Sequence, residues 1–135
     1  MTATEKGAGE VNVHDNSTIA YRERVVTKAV VKAAELLKLS EPEFAGLIGV
    51  SETTVAKLKA VESVIREKSA EQQLVVYLIG IFESLSALYG NNEDHMAEWL
   101  RAENKVFNKA PIREMATMSG MANTARHLDQ YRFRV

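Results

Sequence analysis

Ser51, Glu52, Thr53, Thr54 and Lys57 lie within a run of seven residues and offer hydroxyl, carboxylate and ammonium groups of the kind that read base edges in the major groove of DNA. Glu52 can accept from a cytosine amino group, and Lys28 and Lys32, farther upstream, can neutralise phosphates. The elements that would hold this set are written in the apolar spacing of the surrounding chain. With Glu41 as position 1, Ala45 stands at 5, Gly49 at 9, and Phe44, Ile48, Val50, Val55 and Leu58 at 4, 8, 10, 15 and 18. This is the internal spacing of a helix-turn-helix. Small Ala45 lets two helices approach closely, Gly49 supplies the positive φ of the turn between them, and Ser51 caps the second helix. That helix then presents Thr53, Ala56 and Lys57 away from a Val55/Leu58 core face. The same spacing also serves a tri-helical packing module that touches no DNA, and the residues alone leave both readings open.

Charge bears on that choice. A net charge of −1 argues against a chain that lives by coating nucleic acid. Its distribution says more: residues 22–38 carry five cations against Glu23 and Glu35, and residues 126–135 carry three arginines against Asp129. The helix-turn-helix itself sets Glu41, Glu43 and Glu52 against only Lys57 and Lys59. Because phosphate neutralisation supplies much of protein–DNA affinity, DNA binding here must draw on the first helix or on a second subunit, and a dimer is needed to read two half-sites.

Little else in the chain is arranged for chemistry. His14, His95 and His127 are far apart in sequence, and none has a ligand-spaced partner on a predicted helix, so no metal site is expected. There is no phosphate-cradling glycine loop, no Gly-x-Ser-x-Gly elbow and no carboxylate pair in an apolar setting. Glu98 and Glu103 beside Trp99 read as solvated helix faces. The expectation is a protein that is not an enzyme and needs no cofactor and no small-molecule substrate. The absence of cysteine removes disulfides and thiolate sites and fits a reducing cytoplasm, which is the expected location. No basic region followed by an apolar run marks a secretory signal. The longest apolar stretch, residues 74–82, is well short of the ~18 continuous residues a membrane span requires and reads as a buried helix.

These features predict an all-α fold. Residues 1–18 have no helical or strand period and read as a flexible tail. From Ile19 a helix places Val26, Val30, Ala33 and Leu37 on one face and Arg24, Lys28, Lys32 and Glu35 on the other. Ser40, Pro42 and Glu43 start the second helix with a capping box, and Ser51 starts the third. Val61, Val64 and Ile65 then form a short fourth helix or extend the third, completing a domain at 19–68. Ser69 to Gln72 is a second capping box, opening a helix that stops at Gly90. That helix is apolar nearly all round, so residues 69–90 are either the centre of the core or a homodimer interface. Residues 91–135 give three short helical patterns: Met96/Trp99/Leu100, then Ile112/Met115 after Pro111, then Met121/Ala125/Leu128/Tyr131, with Gly120 separating the last two.

The order of these C-terminal elements resembles a known family. His95-Met-Ala-Glu-Trp-Leu100, Asn108-Lys-Ala-Pro111-Ile-Arg-Glu-Met115, Met118-Ser-Gly120 and a closing helix with Leu128 look like the toxin-binding domain of the Xre/MbcA/ParS antitoxins. With the upstream helix-turn-helix, the resemblance covers roughly residues 22–135. Two departures stand out: a glycine frequent shortly before the proline is Asn108 or Lys109 here, and a glycine near the end of the final helix is replaced around Arg132.

The resemblance implies an antitoxin that pairs with a RES-domain toxin, an enzyme that consumes or transfers from NAD, and that represses its own operon by binding operator DNA. Inhibition would be steric. The strongest candidate surface is the chain end, where Arg126, His127, Gln130, Tyr131, Arg132, Phe133, Arg134 and Val135 combine large aromatic anchors with multi-donor cations. The bland alternative is a final helix that docks Leu128 and Tyr131 on its own core. The competing function is a free-standing dimeric helix-turn-helix regulator whose C-terminal section only dimerises or senses a ligand.

Overall fold

The computed structural model describes residues 2–132. Seven helices appear among the described residues: α1 (Thr2–Leu36), α2 (Glu41–Ile48), α3 (Glu52–Lys59), α4 (Ala70–Tyr89), α5 (Glu93–Arg101), α6 (Pro111–Glu114) and α7 (Met118–Arg132). No strand is present among them beyond one isolated bridge between Asn104 and Lys109, so the all-α expectation holds.

The first half forms where its local signals place it. Along α1, Val30 and Ala33, with Leu37 just past the helix end, are fully buried, while Arg24, Lys28, Lys32 and Glu35 face solvent. Ser40 and Glu43 close both halves of the capping box: Glu43 N–H donates to Ser40 Oγ at 3.2 Å, and Ser40 N–H donates to Glu43 Oε1 at 2.9 Å. Gly49 ends α2 at φ 75°, a backbone state that costs a side-chain-bearing residue energy, and Ser51 Oγ accepts from Thr54 N–H to start α3. Phe44, Ala45, Ile48, Val55 and Leu58 are buried together, as the spacing requires.

Two expectations for this half are corrected. The helix does not begin at Ile19 but runs back to Thr2 through the segment read as a tail. Both prolines of the chain lie later, at 42 and 111, so nothing before Leu36 forbids elongation, which adds one hydrogen bond per residue fixed. Residues 61–69 form neither a fourth helix nor an extension of α3. Instead, side chains of α1 take up backbone donors that a helix would have used internally. Thr27 Oγ1 accepts from Ile65 N–H at 2.9 Å while donating to Glu23 O at 2.7 Å, and buried Glu23 accepts from Glu67 N–H at 2.8 Å. Buried Ile65 and the Arg22–Glu67 ion pair fasten the same strap, and Val61 at φ 62° turns the chain out of α3. A backbone donor must be satisfied somewhere, and here tertiary partners outcompeted the helix.

At the centre lies α4, whose length and composition alone would let it cross a bilayer. In this fold it packs against α1, α2, α5 and α7, burying Val75, Leu78, Ile81, Ser84 and Leu85. Its start differs in detail from a capping box. Ser69 Oγ accepts from Gln72 N–H, but Gln72 Oε1 reaches Lys68 N–H, one residue before the cap. On the outward side Val76 is 49% and Leu88 44% exposed.

The last three helices wrap around the end of α4. Met96 and Leu100 of α5, Met115 beyond α6, and Met121 and Leu128 of α7 complete the same core. Gly120 does not separate two helices, as the sequence pattern predicts, but sits inside the first turn of α7. Its role is contact: a Cβ there would lie 1.7 Å from Glu114 O, so α7 can cross the end of α6 only without a side chain at that point. Thr117 Oγ1 accepts from Gly120 N–H at 3.0 Å and caps the helix start. Of the two positions before Pro111 where a glycine was expected, Asn108 is the one with positive φ. Asn108 adopts φ 58°, so the turn before Pro111 keeps its left-handed residue, supplied by the non-glycine residue type that tolerates this region well.

Candidate functional site

The closing helix sorts its outward residues into two sets. Asn123, Arg126, His127 and Gln130 follow the i, i+3, i+4, i+7 spacing of one helical stripe and line an open groove of about 430 Å³, whose other wall is Val106, Phe107 and Glu114. His127 stands between two aromatic rings: its centroid is 5.4 Å from Phe107 and 5.2 Å from Tyr131, both edge-to-face. This ladder holds the phenol of Tyr131 at the surface, 45% exposed, rather than docking it in the core. Leu128, by contrast, is fully in the core. Arg126 is exposed and donates to Asn123 Oδ1 at 3.0 Å, so its guanidinium stays along the groove.

Arg132 belongs to the second set. With Ala122, Ala125 and Asp129 it faces α4 across a groove that also includes Val76, Tyr77 and Gly80, and it pairs with Glu83 at 3.6 Å; Arg126 borders this groove as well as the first. The structure thus brings together Arg126, His127, Gln130 and Tyr131 and turns Arg132 toward α4. Phe133, Arg134 and Val135 lie outside the described residues. Sequence reasoning missed Val106 and Phe107, the far wall of the first groove. A signal was available: an apolar pair in a polar loop between Asn104 and Asn108, with Val106 62% exposed.

A second surface lies on α3 and α1. Glu52, Thr53, Ala56 and Lys57 are exposed, opposite buried Val55 and Leu58. Ser51 and Thr54 are less available than the sequence suggests, since their hydroxyls lie 3.0 Å apart and Ser51 Oγ also accepts from Thr54 N–H. Lys28 and Lys32 line a small cleft with Lys59, Leu58 and Val61, which places the cations of α1 beside the end of α3. Lys59 is held to Glu41 at 3.3 Å.

Two ion pairs tie α5 to the first half of the chain. Arg101 forks onto Glu43, Nη1 to Oε2 at 2.7 Å and Nη2 to Oε1 at 2.8 Å, and Nη2 also donates to Lys38 O at 3.1 Å. The guanidinium holds the Glu43 carboxyl well below its ordinary 4.5, at about 2, with Ser40 N–H assisting. Alongside, Lys38 pairs with Asp94, which raises the lysine and lowers the carboxyl. The start of α2 and both ends of α5 are thereby clamped together.

No group of three or more histidine and acidic residues that could hold a metal occurs among the described residues. None of the curated proteins compared matches the chain. Residues 84–134 match the family model of the antitoxin Xre/MbcA/ParS C-terminal toxin-binding domain. The match begins inside α4, at the buried Ser84 whose hydroxyl lies 3.4 Å from Asp129 of α7, and so takes the last turns of α4 together with α5, α6 and α7. This C-terminal segment is therefore similar to the toxin-binding domain of the Xre/MbcA/ParS antitoxins.

Proposed function

We propose that the protein is the antitoxin of a toxin–antitoxin pair and neutralises a RES-domain toxin, an NAD-consuming or ADP-ribosylating enzyme, by seating the C-terminal end of α7 over its active site. The observation that carries this reading is the overlap of the family match with the Arg126, His127, Gln130 and Tyr131 surface. Arginine and tyrosine are the residue types that dominate interface energetics, and the Phe107–His127–Tyr131 ladder holds one such anchor in place before binding. The protein works by occlusion in the cytoplasm and contributes no catalytic group. Deleting residues 131–135 tests the reading. Loss of anchors worth roughly 2 kcal/mol or more each weakens the complex by orders of magnitude. Cells co-expressing the neighbouring toxin should then lose NAD and stop growing, while the helical circular dichroism of the truncated chain persists. Full protection by the truncated chain would put the inhibitory surface elsewhere.

The N-terminal half represses the operon in this reading. Exposed Thr53 and Lys57 on a helix that follows a glycine turn, with Lys28 and Lys32 alongside, support a helix-turn-helix that binds operator DNA as a dimer. The outward Val76 and Leu88 of α4 support a homodimer through that helix. A Thr53→Ala/Lys57→Ala variant should bind promoter DNA more weakly, and wild-type affinity with an unchanged salt slope would remove DNA contact from α3. A chain that binds DNA but protects against no neighbouring toxin would instead be a free-standing regulator.

A further inference from the structure

The outward face of α5 carries a site that neither toxin occlusion by α7 nor DNA binding by α3 uses. Its residues His95, Glu98 and Trp99 follow i, i+3, i+4, and together with the cap residue Ala102 just past the helix and Tyr89 from the end of α4 they line an open cleft of about 370 Å³. The opposite face of α5, with Met96, Ala97 and Leu100, is committed to the core, so this face is set by the helix and cannot turn away. Tyr89 and His95 meet edge-to-face at 6.0 Å, which fixes one aromatic wall, and partly buried Trp99 supplies another. Among the described residues the Glu98 carboxylate has no ion-pair or hydrogen-bond partner, and no lysine or arginine lines the cleft. The neighbouring cations are committed elsewhere, Lys38 to Asp94 and Arg101 to Glu43.

We propose that this cleft is a receptor for a cationic side chain of a partner protein, an arginine in preference to a lysine. Aromatic faces beside a carboxylate attract a cation through the ring quadrupole and the charge together. A guanidinium suits the arrangement better than an ammonium because it is planar, stacks on an aromatic face and can fork onto a carboxylate. The cleft is wide enough for a side chain and too open to enclose a free metabolite, and its acidic, aromatic lining complements a basic segment rather than an apolar one.

Trp99 is the sole tryptophan of the chain, so its fluorescence reports on the site directly. The intact protein is titrated with acetyl-arginine-amide, acetyl-lysine-amide and the neutral isostere acetyl-citrulline-amide. The expected result is a saturable change with arginine, about five- to tenfold weaker binding of citrulline, and lysine in between. Glu98→Gln, which keeps shape and removes charge at an exposed position, should lower arginine affinity toward the citrulline level while leaving thermal unfolding unchanged. Equal binding of arginine and citrulline, or no saturable change, would overturn the proposal. So would an unaltered arginine affinity in Glu98→Gln. None of these readouts involves the toxin or DNA, so they stand apart from the fate of the functional reading above.

Discussion

Gly49 and Gly120 hold the two halves of this chain in shape by different physics. Gly49 sits at φ 75°, and a Cβ added there would meet nothing closer than Leu74 Cδ1 at 3.5 Å. Its requirement is conformational: the space is open and the backbone state is the obstacle. Gly120 lies inside a helix with no positive φ, and a Cβ there would overlap Glu114 O at 1.7 Å, with the Glu114 carbonyl carbon at 2.8 Å. Its requirement is steric. A backbone strain of the first kind can be borne as a roughly fixed penalty, whereas an overlap of the second kind forces two packed helices apart.

The comparison is tested most severely by Gly120→Ala. Alanine is otherwise the best helix former and would stabilise an exposed helical site. Here it must displace α6 from α7 at a point where the obstacle is backbone, and the expected loss is about 3 kcal/mol or more. Urea unfolding of the purified chain measures it, and toxin neutralisation should fall with it. A neutral or stabilising Gly120→Ala would show that the crossing of α6 and α7 is looser than described.

Gly49→Val comes next. The β-branched residue resists positive φ, and the expected destabilisation is about 2 kcal/mol, confined to the turn between α2 and α3. Gly49→Asn should recover much of the loss because asparagine tolerates this region. If asparagine were no better than valine, contact with Leu74 rather than φ would be the limiting feature, and the contrast with Gly120 would collapse.

What the sequence revealed follows the same division. Gly49 was legible because a turn glycine is bracketed by local signals: apolar positions at fixed offsets and the Ser51 cap. The capping box at Ser40 and the stop at Gly90 were readable for the same reason, since caps and stops act within a few residues. Gly120 was recognised as a necessary glycine but given the wrong task, because the atom it avoids is on another element. The strap at 61–69 was missed likewise: its donors are satisfied by Thr27 and Glu23, some forty residues earlier, and nothing local marks that. In the candidate site, composition singled out residues of α7 as candidates. Their division into a groove stripe with Phe107 and a stripe facing α4 depended on which neighbour each met.

The clamp between the halves gives a smaller effect with a definite pH dependence. Because Arg101 lowers the Glu43 carboxyl in the folded chain to about 2 from its ordinary 4.5, the pair's contribution is fully present above about 4.5 and is lost as pH falls through about 2. Both side chains are partly exposed, 44% for Arg101 and 31% for Glu43, so solvent screening reduces the net contribution to about 1 kcal/mol. Arg101→Leu should therefore cost about that much at neutral pH, and the gap between variant and wild type should close as pH is lowered toward 2. A gap independent of pH would assign the loss to Lys38 O and packing rather than to the ion pair.

The smallest expected effect is at Asn108, and it tests whether the comparison extends to a position where a residue other than glycine takes a positive φ. Asn108 has φ 58°, its N–H donates to Asn104 O at 2.8 Å, and the neighbouring Lys109 O accepts from Asn104 N–H at 3.0 Å, closing the turn that leads to Pro111. The position is exposed, so its requirement should be of the Gly49 kind, set by backbone alone. Glycine removes the remaining strain of a left-handed Cβ but raises the entropy of the unfolded chain, and the two terms nearly cancel. Asn108→Gly should thus change stability by no more than about 0.5 kcal/mol, whereas Asn108→Val should lose about 1–2 kcal/mol. Thermal unfolding of the two variants side by side decides it. A large penalty for glycine would mean that the asparagine side chain itself holds the turn, so that contact rather than tolerance of φ selects it.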